Sequence, residues 1–224
     1  MSLEEGSVYR LRCRGVNAYL VDDDGTITLV DAGTPWDADR MRAMLSRANV
    51  FPAEIDRVLV THYDLDHVGT LGLLDFDPDV PIYAAEPDAS FLLGDATPPF
   101  GNHKGMLQRA TRPFLTAPKN EVRRVNDGDS VGGFGVYRAP GHTPGHVVYQ
   151  HTDHGAAFLG DLVRESAGAL SPSPWFVCYD AERNRESLRD IADRIDPFEA
   201  ACVGHGEPLR TDGYGALCWA ADRV

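Results

Sequence analysis

Along this chain the spacing of apolar residues switches between a period of two and a helical period, and the switches mark its elements. Val8 to Arg14, Ala18 to Val21 and Thr26 to Val30 read as strands, the last two joined by Asp22-Asp23-Asp24-Gly25, whose Asp-Gly pair favours a hairpin turn. From Pro35 to about Asn49 a helix is expected, because Met41, Met44, Leu45 and Ala48 recur at helical spacing and form one stripe suited to packing on a sheet. Val58 to Val60 is an apolar β-branched run that suits a strand covered on both faces. A short helix over His67 to Leu74 and a strand over Val80 to Ala85 follow. Residues 86–120 carry the weakest pattern: Pro98-Pro99-Phe100-Gly101 breaks the chain, Met106 to Leu115 is helix-like until Pro118, and the segment reads as an insertion over a pocket.

The second half repeats the order of elements. Strands are expected at Glu121 to Val125, Ser130 to Val131, Gly135 to Ala139, Val147 to His151 and Ala156 to Leu159, with turns at Asn126-Asp127-Gly128 and Asp153-His154-Gly155. Ala181 to Ile195 places Leu188, Ile191, Ala192 and Ile195 on one face of a charged helix. Ala200 to Val203 is a last apolar strand, and a final helix covers about Gly213 to Asp222. Two halves of this kind suit two sheets packed face to face with helices outside, in an α/β domain spanning 1–224; one mixed sheet is the plainer alternative.

Composition narrows the partners. A length of 224 residues with 43% hydrophobic and 25% charged residues suits one ordinary core. A formal net charge of −13 opposes a broad phosphate-backbone contact, so no nucleic-acid partner is expected. No apolar run approaches the roughly 18 residues of a membrane span, and Met1-Ser2-Leu3-Glu4-Glu5 is acidic where a signal peptide would be basic; no membrane association and a cytoplasmic location are the expectation. Cys13, Cys178, Cys202 and Cys218 form no Cys-x-x-Cys pair and read as reduced, mostly buried thiols.

The chemistry concentrates after the Val58–Val60 strand. His62, Asp64 and Asp66 alternate with Tyr63 and Leu65, so an extended or tightly turned backbone aims all three into one pocket, and His67 follows directly. Imidazole nitrogens and carboxylate oxygens at this density suit zinc, iron or manganese. Three further stretches each place a ligand type just after a strand: Gly141-His142-Thr143-Pro144-Gly145-His146, Leu159-Gly160-Asp161 and Gly204-His205-Gly206-Glu207-Pro208.

Taken together, these motifs resemble those of the metallo-β-lactamase superfamily, over Asp31 to Pro208. The resemblance implies a four-layer αββα sandwich with a dinuclear site: His62, Asp64 and His142 on one ion, Asp66, His67 and His205 on the other, and Asp161 bridging. Asp31 is then a candidate for orienting a ligand histidine, and His146 for a structural hydrogen bond. His103, His151 and His154 have no motif support, and the last two are expected at the surface. Two divalent ions are implied, zinc foremost.

The activity this implies is hydrolysis of an ester, thioester, lactone or amide of a small molecule by hydroxide formed between the ions, with Asp66 orienting it or passing a proton to the leaving group. Asp64 departs from the histidine usual in hydrolytic members; it hardens the first position and motivates an alternative, an iron-dependent oxidoreductase of persulfide dioxygenase-like or flavodiiron-like type. A non-catalytic binding protein is the third class, and a homodimer is left open. Residues 95–118 and 164–179 are expected to form the cleft lips, with Tyr63, Trp175, Phe176 and Tyr179 as substrate contacts.

Overall fold

In the computed structural model, which describes residues 8–224, the chain opens with β1 (Val8–Arg12), β2 (Asn17–Asp23), β3 (Thr26–Val30), α1 (Ala38–Arg47), β4 (Arg57–Leu59) and the one-turn α2 (Leu65–Val68). β5 (Ile82–Ala85), α3 (Asp88–Leu93), α4 (His103–Thr111) and β6 (Val122–Val125) complete the first half. The second half comprises β7 (Ser130–Val131), β8 (Phe134–Arg138), β9 (Val147–His151), β10 (Ala156–Gly160), β11 (Val163–Ser166), β12 (Ala169–Pro172), α5 (Ala181–Arg194), β13 (Ala200–Val203) and α6 (Gly213–Ala221).

Six strands pair in the order β1-β2-β3-β4-β5-β6, antiparallel through the meander and parallel from β3 onward. Five pair as β13-β10-β9-β8-β7, with β13 parallel to β10 and the rest antiparallel. Period-two alternation decides how these sheets stack, since successive side chains leave a strand on opposite faces. In β2, Tyr19 and Val21 enter one apolar cluster with Val30, Leu59, Phe134, Tyr149 and Phe158, which is the space between the sheets. Ala18 and Leu20 face the other way, into a cluster that holds Met41 and Leu45 of α1. Across the second sheet, Val148, Ala157 and Leu159 meet Leu188 and Ile191 of α5 and Leu217 of α6. Three apolar layers between four structural ones make the αββα sandwich.

The register then gathers the strand ends. Parallel pairing of Val30 with Leu59 sets Asp31 beside Thr61, and parallel pairing of Gly160 with Val203 sets Asp161 beside Gly204-His205. Among the described residues no helix is long and apolar enough to cross a membrane.

Several elements differ from expectation. The helix after the ligand strand is confined to α2, because the Gly69 and Thr70 amides donate to the Gly33 and Ala32 carbonyls and not to the preceding turn, and the chain continues in turns. α4 starts earlier than the Met106 to Leu115 pattern, capped by Asn102, and passes at Arg112-Pro113 into a 3-10 turn. α3 and the β11–β12 hairpin were not read in the sequence. His151, expected at the surface, is 1% exposed: it sits on the same face of β9 as Val147 and Tyr149 and packs edge-on against Phe134.

Candidate metal centre

Three imidazoles of the cluster are oriented from behind. The Thr61 hydroxyl donates to Asp31 Oδ2 at 2.7 Å, so its oxygen is free to accept from His62 Nδ1 at 2.9 Å. The same Asp31 oxygen accepts from His67 Nδ1 at 2.8 Å, and Oδ1 accepts from the Thr61 amide at 2.8 Å. His205 Nδ1 donates to the Gly15 carbonyl at 2.7 Å. These bonds turn the Nε2 atoms of His62, His67 and His205 toward a common centre, the arrangement expected when a second partner sets which ring nitrogen faces a metal.

Asp161 stands in the middle. Its Oδ2 lies 3.4 Å from His142 Nε2 and 3.2 Å from His205 Nε2, while Oδ1 lies 3.4 Å from His67 Nε2. Asp66 Oδ2 lies 3.4 Å from His205 Nε2, and Asp64 Oδ2 lies 3.1 Å from His142 Nε2. The seven residues expected as ligands are therefore brought together, as the groups His62–Asp64–His142, His62–His67–Asp161 and Asp66–His67–His205. Gly204 allows the approach, since a Cβ there would collide with Asp161 Oδ1 and the His67 ring.

The donor set fits a divalent cation. His62 Nε2, His67 Nε2 and Asp161 Oδ1 are buried without a hydrogen-bond partner, and buried polar atoms left so cost about 1–3 kcal/mol each unless something binds them. The electrostatics agree. Burial opposes the charge on Asp161, yet His205, His67 and His142 hold its carboxyl well below the usual range. Burial likewise opposes protonation of His67 and His205, but carboxylates win: Asp31 and Asp161 hold His67 well above its ordinary value, and Asp161 with Asp66 raises His205 to about 10. Such a cluster is acidic enough to retain protons where a cation would displace them.

His146 lies apart from the centre: its Nε2 accepts from the Asp161 amide at 3.0 Å, a structural hydrogen bond that holds the Asp161 backbone. Burial, with His62 and His142 nearby, keeps its ring neutral.

Three residues that the sequence did not single out complete the surroundings. Asp88, 1% exposed, accepts from the Tyr63 amide at 2.8 Å, the Thr143 hydroxyl at 2.6 Å and the Gly145 amide at 2.8 Å, tying the His62 loop to the His142 loop. Gln108 donates to Asp64 Oδ1 at 2.8 Å and to the Tyr63 carbonyl. Lys104, 3% exposed, extends its Nζ to 2.7 Å from Asp64 Oδ2 and 2.6 Å from His142 Nε2. Burial and that ammonium push His142 down to about 4. Lysine and glutamine on a helix ordinarily read as solvent-facing, so only their spacing of four, which puts both on one helical face, could have pointed to a shared target.

A cleft of about 490 Å3 opens over the cluster, lined by Leu65, Leu107, Thr111, Arg164, Ser173, Pro174 and Val177 in addition to the polar residues above. Both expected lips contribute to it, but the aromatics named for it do not line it. Tyr63 is buried in the helix-side core against Phe91, because alternation along the extended ligand loop sends it away from its ligand neighbours. Trp175 and Phe176 are 69% and 55% exposed and point outward. Tyr179 reaches the cleft only through its hydroxyl, which donates to Gln108 Oε1.

Comparison with known proteins agrees with this geometry. The family model described as the metallo-beta-lactamase superfamily matches residues 11–205. The chain is 29% identical to the protein YobT of Bacillus subtilis (88% of this chain, 85% of that one) and 28% identical to the probable metallo-hydrolase YybB of the same organism (87% and 82%). Among solved structures it resembles the metallo-beta-lactamase family protein TTHA1429 of Thermus thermophilus, with TM-score 0.72, 21% identity and coverage of 97% and 79%. It also resembles TTHA1623 in a di-iron-bound form, with TM-score 0.65, 24% identity and coverage of 93% and 95%.

Proposed function

The chain belongs to the metallo-β-lactamase superfamily, and from that premise we propose that it is a metal-dependent hydrolase opening an ester, thioester, lactone or amide bond of a small molecule. The observation that carries this is the gathering of His62, Asp64, Asp66, His67, His142, Asp161 and His205 into three overlapping groups of ligand atoms, with Asp64, Asp66, His142, Asp161 and His205 lining the cleft above them. A divalent ion bound there supplies a Lewis acid for the scissile carbonyl and ionises water near neutral pH, zinc being foremost for this donor set.

The chain's own residues do the rest. Asp66 lines the cleft and is one-third exposed; burial opposes its ionisation, but His205 and His67 keep its carboxyl below the usual range, so it stays ionised and can orient a water molecule at the cleft floor by accepting its hydrogen bond. Leu65, Leu107, Pro174 and Val177 exclude water and receive an apolar substrate body, with the Arg164 guanidinium at the mouth placed to hold an acidic end.

A covalent route has no support. The Cys178 thiol lies 4.0 Å from His142 Nδ1, but burial pushes it up to about 11, the opposite of an activated nucleophile. The Ser173 hydroxyl is engaged in donating to the Asp161 carbonyl at 2.7 Å. The oxidoreductase reading rested on Asp64 hardening a metal position, and that carboxylate gives one oxygen to Gln108 and the other to Lys104.

The test is a panel of thioester, lactone, β-lactam and phosphodiester substrates, assayed on metal-loaded protein, on chelated protein, and on Asp161→Ala and His142→Ala variants checked for folding by circular dichroism. Turnover of a carbonyl ester or amide that disappears on chelation and in Asp161→Ala is the expected result. Turnover that persists in folded Asp161→Ala overturns the reading.

A further inference from the structure

The family's first cation position, bounded here by His62, Asp64 and His142, already contains a positive charge. Lys104 Nζ lies 2.7 Å from Asp64 Oδ2 and 2.6 Å from His142 Nε2, two of its three donors. Zinc would sit about 2.0–2.2 Å from the same atoms, so ion and ammonium claim one space and exclude each other. We propose that the Lys104 side chain is a built-in substitute for the first metal, and that the centre holds one divalent ion, on the Asp161–His67 side. This rests on the metal-dependent reading of the same site.

Three independent features support it. The first is construction. Asn102 caps α4 by accepting from the amides of Lys104 at 2.9 Å and Gly105 at 3.2 Å, and its own Nδ2 donates to the Tyr179 carbonyl at 2.8 Å. The Tyr179 amide in turn donates to the His142 carbonyl at 3.1 Å. The turn that carries the lysine is thus fastened to the loop that carries His142, and one turn further along Gln108 holds the other oxygen of Asp64. At 3% exposure, the Lys104 ammonium is held among these partners and not in bulk water.

The second feature is the distribution of partners. The buried atoms of the cluster without a hydrogen bond are His62 Nε2, His67 Nε2 and Asp161 Oδ1, a group able to hold one ion by itself. Asp64 and His142, by contrast, are satisfied by Lys104.

The third is charge. Asp31, Asp64, Asp66 and Asp161 bring four carboxylates to the centre; the Lys104 ammonium pairs with Asp64, whereas Asp31, Asp66 and Asp161 form ion pairs with histidines, so the place for a divalent ion is on their side. The aspartate at position 64 and the lysine at 104 explain each other: a carboxylate suits an ammonium partner where a neutral imidazole would leave its charge unpaired.

The experiment is a cobalt(II) titration of metal-free protein followed by its visible absorption, with stoichiometry checked by mass-spectrometric metal analysis. Wild type is expected to saturate at one equivalent per chain, and Lys104→Met to take up a second. Anomalous diffraction from cobalt-loaded wild-type crystals, which needs no variant, is expected to show one peak near His67 and Asp161. Two equivalents or two peaks in wild type overturn the substitution while leaving the hydrolase reading intact. One equivalent in folded Lys104→Met also overturns it, since Lys104 would then not be what keeps the second ion out. No bound metal in wild type overturns the hydrolase reading and this inference together.

Discussion

Replacing Asp88 by alanine should destabilise the protein more than any single change in the exposed cleft wall. The carboxylate, 1% exposed, is the common acceptor for the Tyr63 amide, the Thr143 hydroxyl and the Gly145 amide. Burial raises its pKa above the ordinary value, and these donors pull the other way, so its worth lies in the donors it satisfies and not in its charge. Three buried donors left without an acceptor cost about 1–3 kcal/mol each, and water entering the vacated space brings the expected loss to about 3–5 kcal/mol, a large share of the 5–15 kcal/mol typical of a domain. Asp88→Asn keeps one acceptor oxygen, placed by Tyr63 and Thr143, but sets an NH2 against the Gly145 amide; about 1–3 kcal/mol should be lost there. Denaturant unfolding of the metal-free proteins at pH 7, at unchanged slope, measures both. A loss below 1 kcal/mol for Asp88→Ala would show that the two ligand loops hold their positions without this tie.

Three more outcomes are expected. Asp31→Asn keeps the size of the side chain but loses an acceptor for either Thr61 or His67 Nδ1, and metal affinity should fall about 10–100-fold in competition titrations with a chromophoric chelator; an unchanged affinity would refute its orienting role. Because His67 is held well above its ordinary value and His205 raised to about 10, their contribution to the stability of metal-free protein is fully present below about pH 6.5 and lost as pH rises toward 10. Unfolding at pH 6, 8 and 10 checks the sign, and metal uptake at pH 7 should release protons in calorimetry with buffers of different ionisation enthalpy.

What could be read in the sequence was what is local. His62, Asp64, Asp66 and His67 lie within six positions, and His142, Asp161 and His205 each follow an apolar strand or a glycine turn; it was the resemblance of these ordered motifs to the metallo-β-lactamase superfamily that joined them into one set. The strand pattern suited two sheets but left one mixed sheet open, because alternation shows which residues share a face and not which strands pair; the αββα layering came with the resemblance. His151 was misjudged although the same alternation, Val147, Tyr149, His151, puts it inward; the adjacent turn signal masked it. Lys104, Gln108 and Asp88 all come from residues 86–120, where proline breaks hide the helical period and no local rule says that a polar face turns inward. Their meaning depends on a partner some 25 to 45 positions away.

The helix that carries Lys104 also presents Leu107, Gln108 and Thr111 to the cleft. Tilting this one rod outward would therefore widen the mouth and withdraw the ammonium in the same stroke. Admission of a bulkier guest and the appetite of the floor for a further cation are mechanically geared to each other, so remodelling this wall to change selectivity would alter the inorganic content of the centre as well.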